Sequence, residues 1–217
     1  NDRGGKFGHS TQQNGVNMIM ENLNGLAKLH GSLWGSDKIS SANAPWLQTQ
    51  MDTPIDSDQV RIMWQWIALN LDEPGFCGIA PKHYLDDPRK VERAFDRLGE
   101  IERSRTTPHC IVLGDCHQGN TYILPSGERL WLDWQLVRRG RPWRDLTYFV
   151  VGALTIEERR KHHKDLVKQY REYLIATGAE GVPSFDEAWE QTRLWVMYGI
   201  QAWVANLDAW GQNGIPM

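Results

Sequence analysis

The sequence is poor in cysteine. Its 217 residues hold three, Cys77, Cys110 and Cys116, and no two are spaced as Cys-x-x-Cys. That excludes a disulfide-stapled scaffold and makes a structural zinc site improbable. An odd number of thiols with no secretory leader points to a reduced, cytoplasmic setting. No apolar run approaches the ~20 residues that a membrane-spanning helix needs. The opening Asn1-Asp2-Arg3-Gly4-Gly5-Lys6 has no signal-peptide core. An excess of positive charge is also missing: the formal net charge is −3, which argues against a partner of the nucleic acid polymer type. There are no internal repeats, no low-complexity tracts, and neither a Gly-x-Gly-x-x-Gly nor a Walker A pattern.

What remains is 41% hydrophobic and 24% charged, enough for one ordinary domain with a sizeable core, and includes 11 tryptophans. Apolar residues recur with the helical period from Val16 to Trp34, at Ile19, Met20, Leu23, Leu26 and Ala27. A second helix is expected from about Asp56, with Val60, Met63, Trp64 and Ile67 on one face. A third opens at Asp87-Pro88, with Val91, Phe95, Leu98 and Ile101 as its buried stripe. In the middle, Cys110 to Leu113 reads as a buried strand. Thr121–Leu124 and Leu130–Val137 flank a Pro125-Ser126-Gly127 turn as a short β-hairpin. Capping boxes at Thr155-x-x-Glu158 and Ser184-x-x-Glu187 start two further helices. The expected class is α+β, mainly helical, as a single domain over 1–217. Its small β segment (109–137) carries the loops, and a helical part (144–217) follows.

The polar loop Gly114-Asp115-Cys116-His117-Gln118-Gly119-Asn120 feeds the hairpin. Asp133 follows thirteen residues after Asn120. Asp-x-x-x-x-Asn with a strand-borne Asp beyond it is the arrangement that phosphoryl transfer to a hydroxyl requires. One carboxylate accepts the hydroxyl proton, while an amide oxygen and a second carboxylate supply hard oxygen ligands for Mg²⁺. Taken alone the pattern is weak, because Asp, His and Asn also serve turns through local backbone bonds.

Gly114-Asp115-x-His117-x-Gly119-Asn120, Leu132-Asp133-Trp134 and Arg144-Asp145-Leu146 together resemble the aminoglycoside phosphotransferase and choline kinase superfamily. Gly114 to Leu154, with Leu26-Ala27-Lys28-Leu29-His30 and Leu33-Trp34-Gly35, looks most like its ecdysteroid-kinase-like branch. The resemblance implies the C-terminal lobe of the protein-kinase-like fold, with ATP and Mg²⁺ as cofactors and a small-molecule hydroxyl as acceptor. It also implies Asp115 as catalytic base, Asn120 and Asp133 as metal ligands, and His117 and Asp145 as loop supports. Asp145 reads equally as a helix N-cap.

Two departures stand out. The family usually has His before Gly-Asp, where this chain has Leu113. None of the eight lysines (Lys6, Lys28, Lys38, Lys82, Lys90, Lys161, Lys164, Lys168) lies in a β-rich stretch before the catalytic loop. Asn1 to Gly8 is similar to the segment that follows the interlobe hinge, so the N-terminal nucleotide lobe is expected to be absent and turnover by this chain alone weak. The alternatives are a non-catalytic pseudokinase or binding module of the same fold, and a metal-dependent hydrolase using Asp115, His117 and Asp133.

Other features have plainer readings. Cys116 is a bystander or a nucleophile. Trp189, Trp195, Trp203 and Trp210 fill a core or wall a substrate site. Asp56, Asp58, Asp86, Asp87 and Asp208 are caps or attract a cation. Arg138-Arg139-Gly140-Arg141 is a solvated turn or meets phosphates. His162-His163 lies on a charged helical surface.

Overall fold

The computed structural model describes residues 4–9, 15–50 and 89–204. The helix expected near Asp56, the Asp87-Pro88 start, the five aspartates named above, Cys77, Trp210 and the side chain of Trp203 lie outside them. The chain divides into two compact units, residues 1–50 with 106–196, and residues 51–105 with 197–217.

The first unit is mainly helical, with two small antiparallel sheets. Its elements begin with β1 (Lys6–Phe7) and α1 (Val16–Ser32). In the second unit, α2 (Arg89–Ser104) buries Phe95 and Leu98. Then come β2 (Cys110–Val112), β3 (Thr121–Ile123), β4 (Arg129–Trp131) and β5 (Arg138–Gly140). The chain continues through α3 (Trp143–Ala153), α4 (Ile156–Ala176) and α5 (Phe185–Val204).

The apolar period of α1 buries Ile19, Leu23, Leu26 and Ala27 completely. This stripe packs on α4, whose Leu166, Val167, Tyr170 and Leu174 are equally inaccessible. Each such aliphatic side chain contributes about 2 kcal/mol. Gly31 permits the approach at one end, since a Cβ there would meet the Thr177 side chain. The helix α3 is buried all round, from Trp143 to Val150, as befits a central helix. Both capping boxes form. Thr155 and Glu158 exchange side-chain-to-backbone bonds at the start of α4, and Ser184 and Glu187 do so before α5.

The sheets are β1-β3-β4 and β2-β5. In the hairpin Thr121 faces Trp131 and Ile123 faces Arg129. The strand expected over 130–137 is shorter, because the chain leaves the ladder after Trp131. Asp133 takes a left-handed φ of 56° two residues later, a conformation Asp tolerates better than most residues but a strand does not. The Arg138–Arg141 cluster is not a solvated turn. Residues 138–140 form β5, held between β2 and the Gln48–Gln50 segment. Arg139 donates to the Ile39 carbonyl and Arg141 to the Thr107 hydroxyl.

Candidate functional site

The loop from Gly114 to Asn120 joins β2 to β3, and its last three residues, Gln118–Asn120, form a 3-10 turn. His117 caps that turn: its Nδ1 accepts from the Gly119 N–H at 3.0 Å. Accepting there leaves the proton on Nε2, which faces Asp115 Oδ2 across 3.6 Å, longer than a full hydrogen bond. The amide of Asn120 donates to Asp115 twice, to the backbone carbonyl at 3.0 Å and to Oδ2 at 3.1 Å. Its NH₂ is thereby used, which leaves the amide oxygen as the ligand atom it can offer.

Asp115 is half-buried. Burial pushes its carboxyl up, but His117, the Asn120 amide and the nearby Tyr148 hydroxyl outweigh that and hold it below the ordinary carboxylate range. At neutral pH it is therefore a carboxylate, the form a proton acceptor needs.

Asp133 lies beyond the end of β4, yet beside the same loop. Continuing the Thr121–Trp131 register, the Leu132 N–H donates to the Asn120 carbonyl at 2.8 Å. That brings the backbone next to Asp133 alongside Asn120. Its carboxylate is exposed and, among the described residues, accepts long bonds of 3.4 Å from Gln135 of its own turn. The Asp133 loop also rests on Gly114: with φ of 85°, a Cβ at that residue would collide with the Leu136 carbonyl. Among the described residues, no group of three or more His, Cys, Asp or Glu is arranged to hold a metal. An amide oxygen beside one carboxylate is a smaller, hard-oxygen set.

Asp145 holds the loop from below. It lies in the first turn of α3 rather than at its N-cap, which is Pro142. Fully buried, it accepts the N–H of Leu113 at 2.6 Å and of Gly114 at 3.0 Å. His30 Nε2 stands 3.3 Å from the same carboxylate, while its Nδ1 meets the Tyr170 hydroxyl at 2.6 Å. Arg144 donates to the Gly114 carbonyl at 3.2 Å, so Gly114 is gripped on both sides of its backbone.

Two residues here escape sequence reasoning: His30, which the resemblance covers without assigning a role, and Tyr148. Tyr148 sits three residues after Asp145 and so on the same helical face, the one signal that could have found it. Cys116 is completely buried and burial raises its thiol well above the usual range, as it does for Cys110. That suits a bystander and not a nucleophile. His163 is not at the surface. It is buried with its ring edge-on to half-buried Trp189, centroids 5.1 Å apart. Trp195 is buried.

Residues 111–190 match the model of the DUF1679 family, described as "uncharacterized oxidoreductase dhs-27". This is an ecdysteroid-kinase-like family, so the resemblance carried by the Gly114–Asn120 motif is borne out over a segment containing Asp115, Asn120, Asp133 and Asp145. No curated protein matches the chain. A solved structure similar to it is the apoenzyme of macrolide 2′-phosphotransferase MphH from Brachybacterium faecium, at 14% identity and a TM-score of 0.45. That alignment covers 92% of this chain and 58% of the phosphotransferase, so the chain spans under two thirds of that protein's length. Among the described residues, no helix is long and apolar enough to cross a membrane.

Proposed function

We propose that the chain is the C-terminal lobe of a cytoplasmic, kinase-like small-molecule phosphotransferase that passes the γ-phosphate of ATP to a hydroxyl. The observation that carries this is the joining of Asp115 to Asn120 through the amide hydrogen bond, with the hairpin register bringing the Asp133 loop alongside. The acceptor oxygen attacks the γ-phosphorus, its bond to the β–γ bridging oxygen breaks, ADP leaves, and Asp115 takes the hydroxyl proton. The carboxylate form of Asp115 and its restrained orientation support that role. Asn120 through its amide oxygen and Asp133 through its carboxylate would hold Mg²⁺, which when bound offsets phosphate charge. Asp145 and His117 hold the loop that carries Asp115.

The test is ADP release from ATP with Mg²⁺ over a panel of hydroxyl acceptors, for the wild type and Asp115→Asn. Acceptor-dependent release lost in the variant is expected, with a fall of about a hundredfold or more. Release that ignores the substitution would refute the reading. Leu113, standing where the family usually has His, favours a second reading as a pseudokinase. Stabilisation of the fold by ATP with Mg²⁺, without turnover, would support that reading instead.

A further inference from the structure

Arg129, the first residue of β4, is a buried cation outside the Asp115 loop. It is 8% exposed, and among the described residues no carboxylate pairs with it. Its guanidinium meets two neutral acceptors instead. Nε donates to the Asn22 side-chain oxygen on α1 at 2.8 Å, and Nη1 donates to the Thr121 hydroxyl of β3 at 2.6 Å. The reach is diagonal, since Arg129 faces Ile123 in the ladder rather than Thr121. Thr121 is completely buried, and its hydroxyl donates in turn to the Gln118 carbonyl at 2.5 Å. Gly8 lies directly over this bond: a Cβ there would strike both the Gln118 carbonyl and the Thr121 hydroxyl.

Burying a guanidinium without a counter-charge is costly, and an apolar side chain of similar length would fill the space as well. What an apolar side chain could not do is aim the Thr121 hydroxyl. Arginine only donates. With Nη1 donating into Thr121 Oγ1, the hydroxyl proton must point away from Arg129, toward the Gln118 carbonyl. A charged donor also polarises the hydroxyl and strengthens that second bond. The Gln118–Asn120 turn is then closed from both sides, by His117 Nδ1 on the Gly119 N–H and by Thr121 on the Gln118 carbonyl. We infer that Arg129 is a positioning residue for Asn120: acting through Thr121, it ties the turn to α1, so that Asn120 presents its amide oxygen in one place. The inference takes the role of Asn120 toward Mg²⁺ from the phosphotransfer reading; the closing of the turn does not depend on it.

Arg129→Met keeps the length and loses the donors. Thr121→Val keeps the shape and loses the hydroxyl, whereas Thr121→Ser retains it. The Asn120 backbone N–H donates to the His117 carbonyl across the turn, so its exchange in the metal-free protein reports on the closure. That exchange is expected to quicken about tenfold in Arg129→Met and in Thr121→Val and to stay as wild type in Thr121→Ser. The Leu26 amide of α1 should keep its protection in all three. Unchanged exchange at Asn120 in both Arg129→Met and Thr121→Val would overturn the inference. So would equal quickening at Leu26 in both, because Arg129 would then serve the fold as a whole. In the ADP-release assay at saturating ATP, Arg129→Met is expected to raise the Mg²⁺ concentration for half-maximal rate about tenfold and leave KM for the acceptor alone. An unchanged Mg²⁺ requirement would overturn the inference as well. If wild type and Asp115→Asn release ADP alike, the phosphotransfer reading fails, and amide exchange alone decides the role of Arg129.

Discussion

Replacing Asp145 by Asn should cost far more than one lost charge. The carboxylate receives three donors from two directions: Leu113 N–H and His30 Nε2 on Oδ2, and Gly114 N–H on Oδ1. An amide offers one oxygen and one NH₂. In the better orientation the oxygen keeps Leu113 and His30, while the NH₂ is driven against the Gly114 N–H, donor facing donor. The group is fully inaccessible, so water cannot relieve the mismatch. Bonds to a charged acceptor are worth about 1.5–3 kcal/mol, and a buried donor left unpaired costs about 1–3 kcal/mol. Together these give about 3–5 kcal/mol, the range seen when one member of a buried charged network is removed. At this chain length that lowers Tm by roughly 10 °C. Urea denaturation with amide exchange at Leu113 and Gly114 is the assay, with Asp186→Asn as control. Asp186 lies exposed in the first turn of α5 and should stay within about 0.5 kcal/mol of wild type. A loss below about 1 kcal/mol for Asp145→Asn, or unchanged protection at the two amides, would refute the reasoning.

Gly114 and Gly127 share nearly the same φ, 85° and 86°, but only Gly114 has a neighbour in the way. Gly127→Ala should therefore cost about 1 kcal/mol of backbone strain. Gly114→Ala should cost about 2–4 kcal/mol, because a Cβ there displaces the Asp133 loop at Leu136; urea midpoints read both. His163 has its pKa lowered from 6.5 to about 4, first by burial and then by Arg159. A folded-state value below the unfolded one gives stability that is complete above pH 6.5 and is lost as pH falls from there toward 4. The part due to His163 should reach about 2–3 kcal/mol by pH 4.5 and be absent in His163→Phe, as urea titrations at pH 7 and 4.5 would show.

What could be read from the sequence was local. The α1 stripe, both capping boxes and the Pro125-Ser126-Gly127 turn depend on residues close in sequence, and so does the pairing of Asp115 with Asn120, five apart within one loop. What could not be read depends on contacts across the chain. β5 forms because β2 and Gln48–Gln50 accept it, and a window around Arg138 contains neither partner. The early end of β4 comes from a left-handed aspartate that composition does not mark. His30 meets Asp145 across 115 positions of sequence. Leu113 shows the consequence most clearly. As a letter in the motif it departs from the family, and it looks like a lost support for the loop. In the structure its side chain is core, 1% exposed, and the group that supports the loop is its backbone N–H, held by Asp145 at 2.6 Å. Any residue but proline can supply that donor. The anchorage of the loop to α3 therefore survives the change of side chain at position 113, and the burden falls on Asp145 and on His30 behind it.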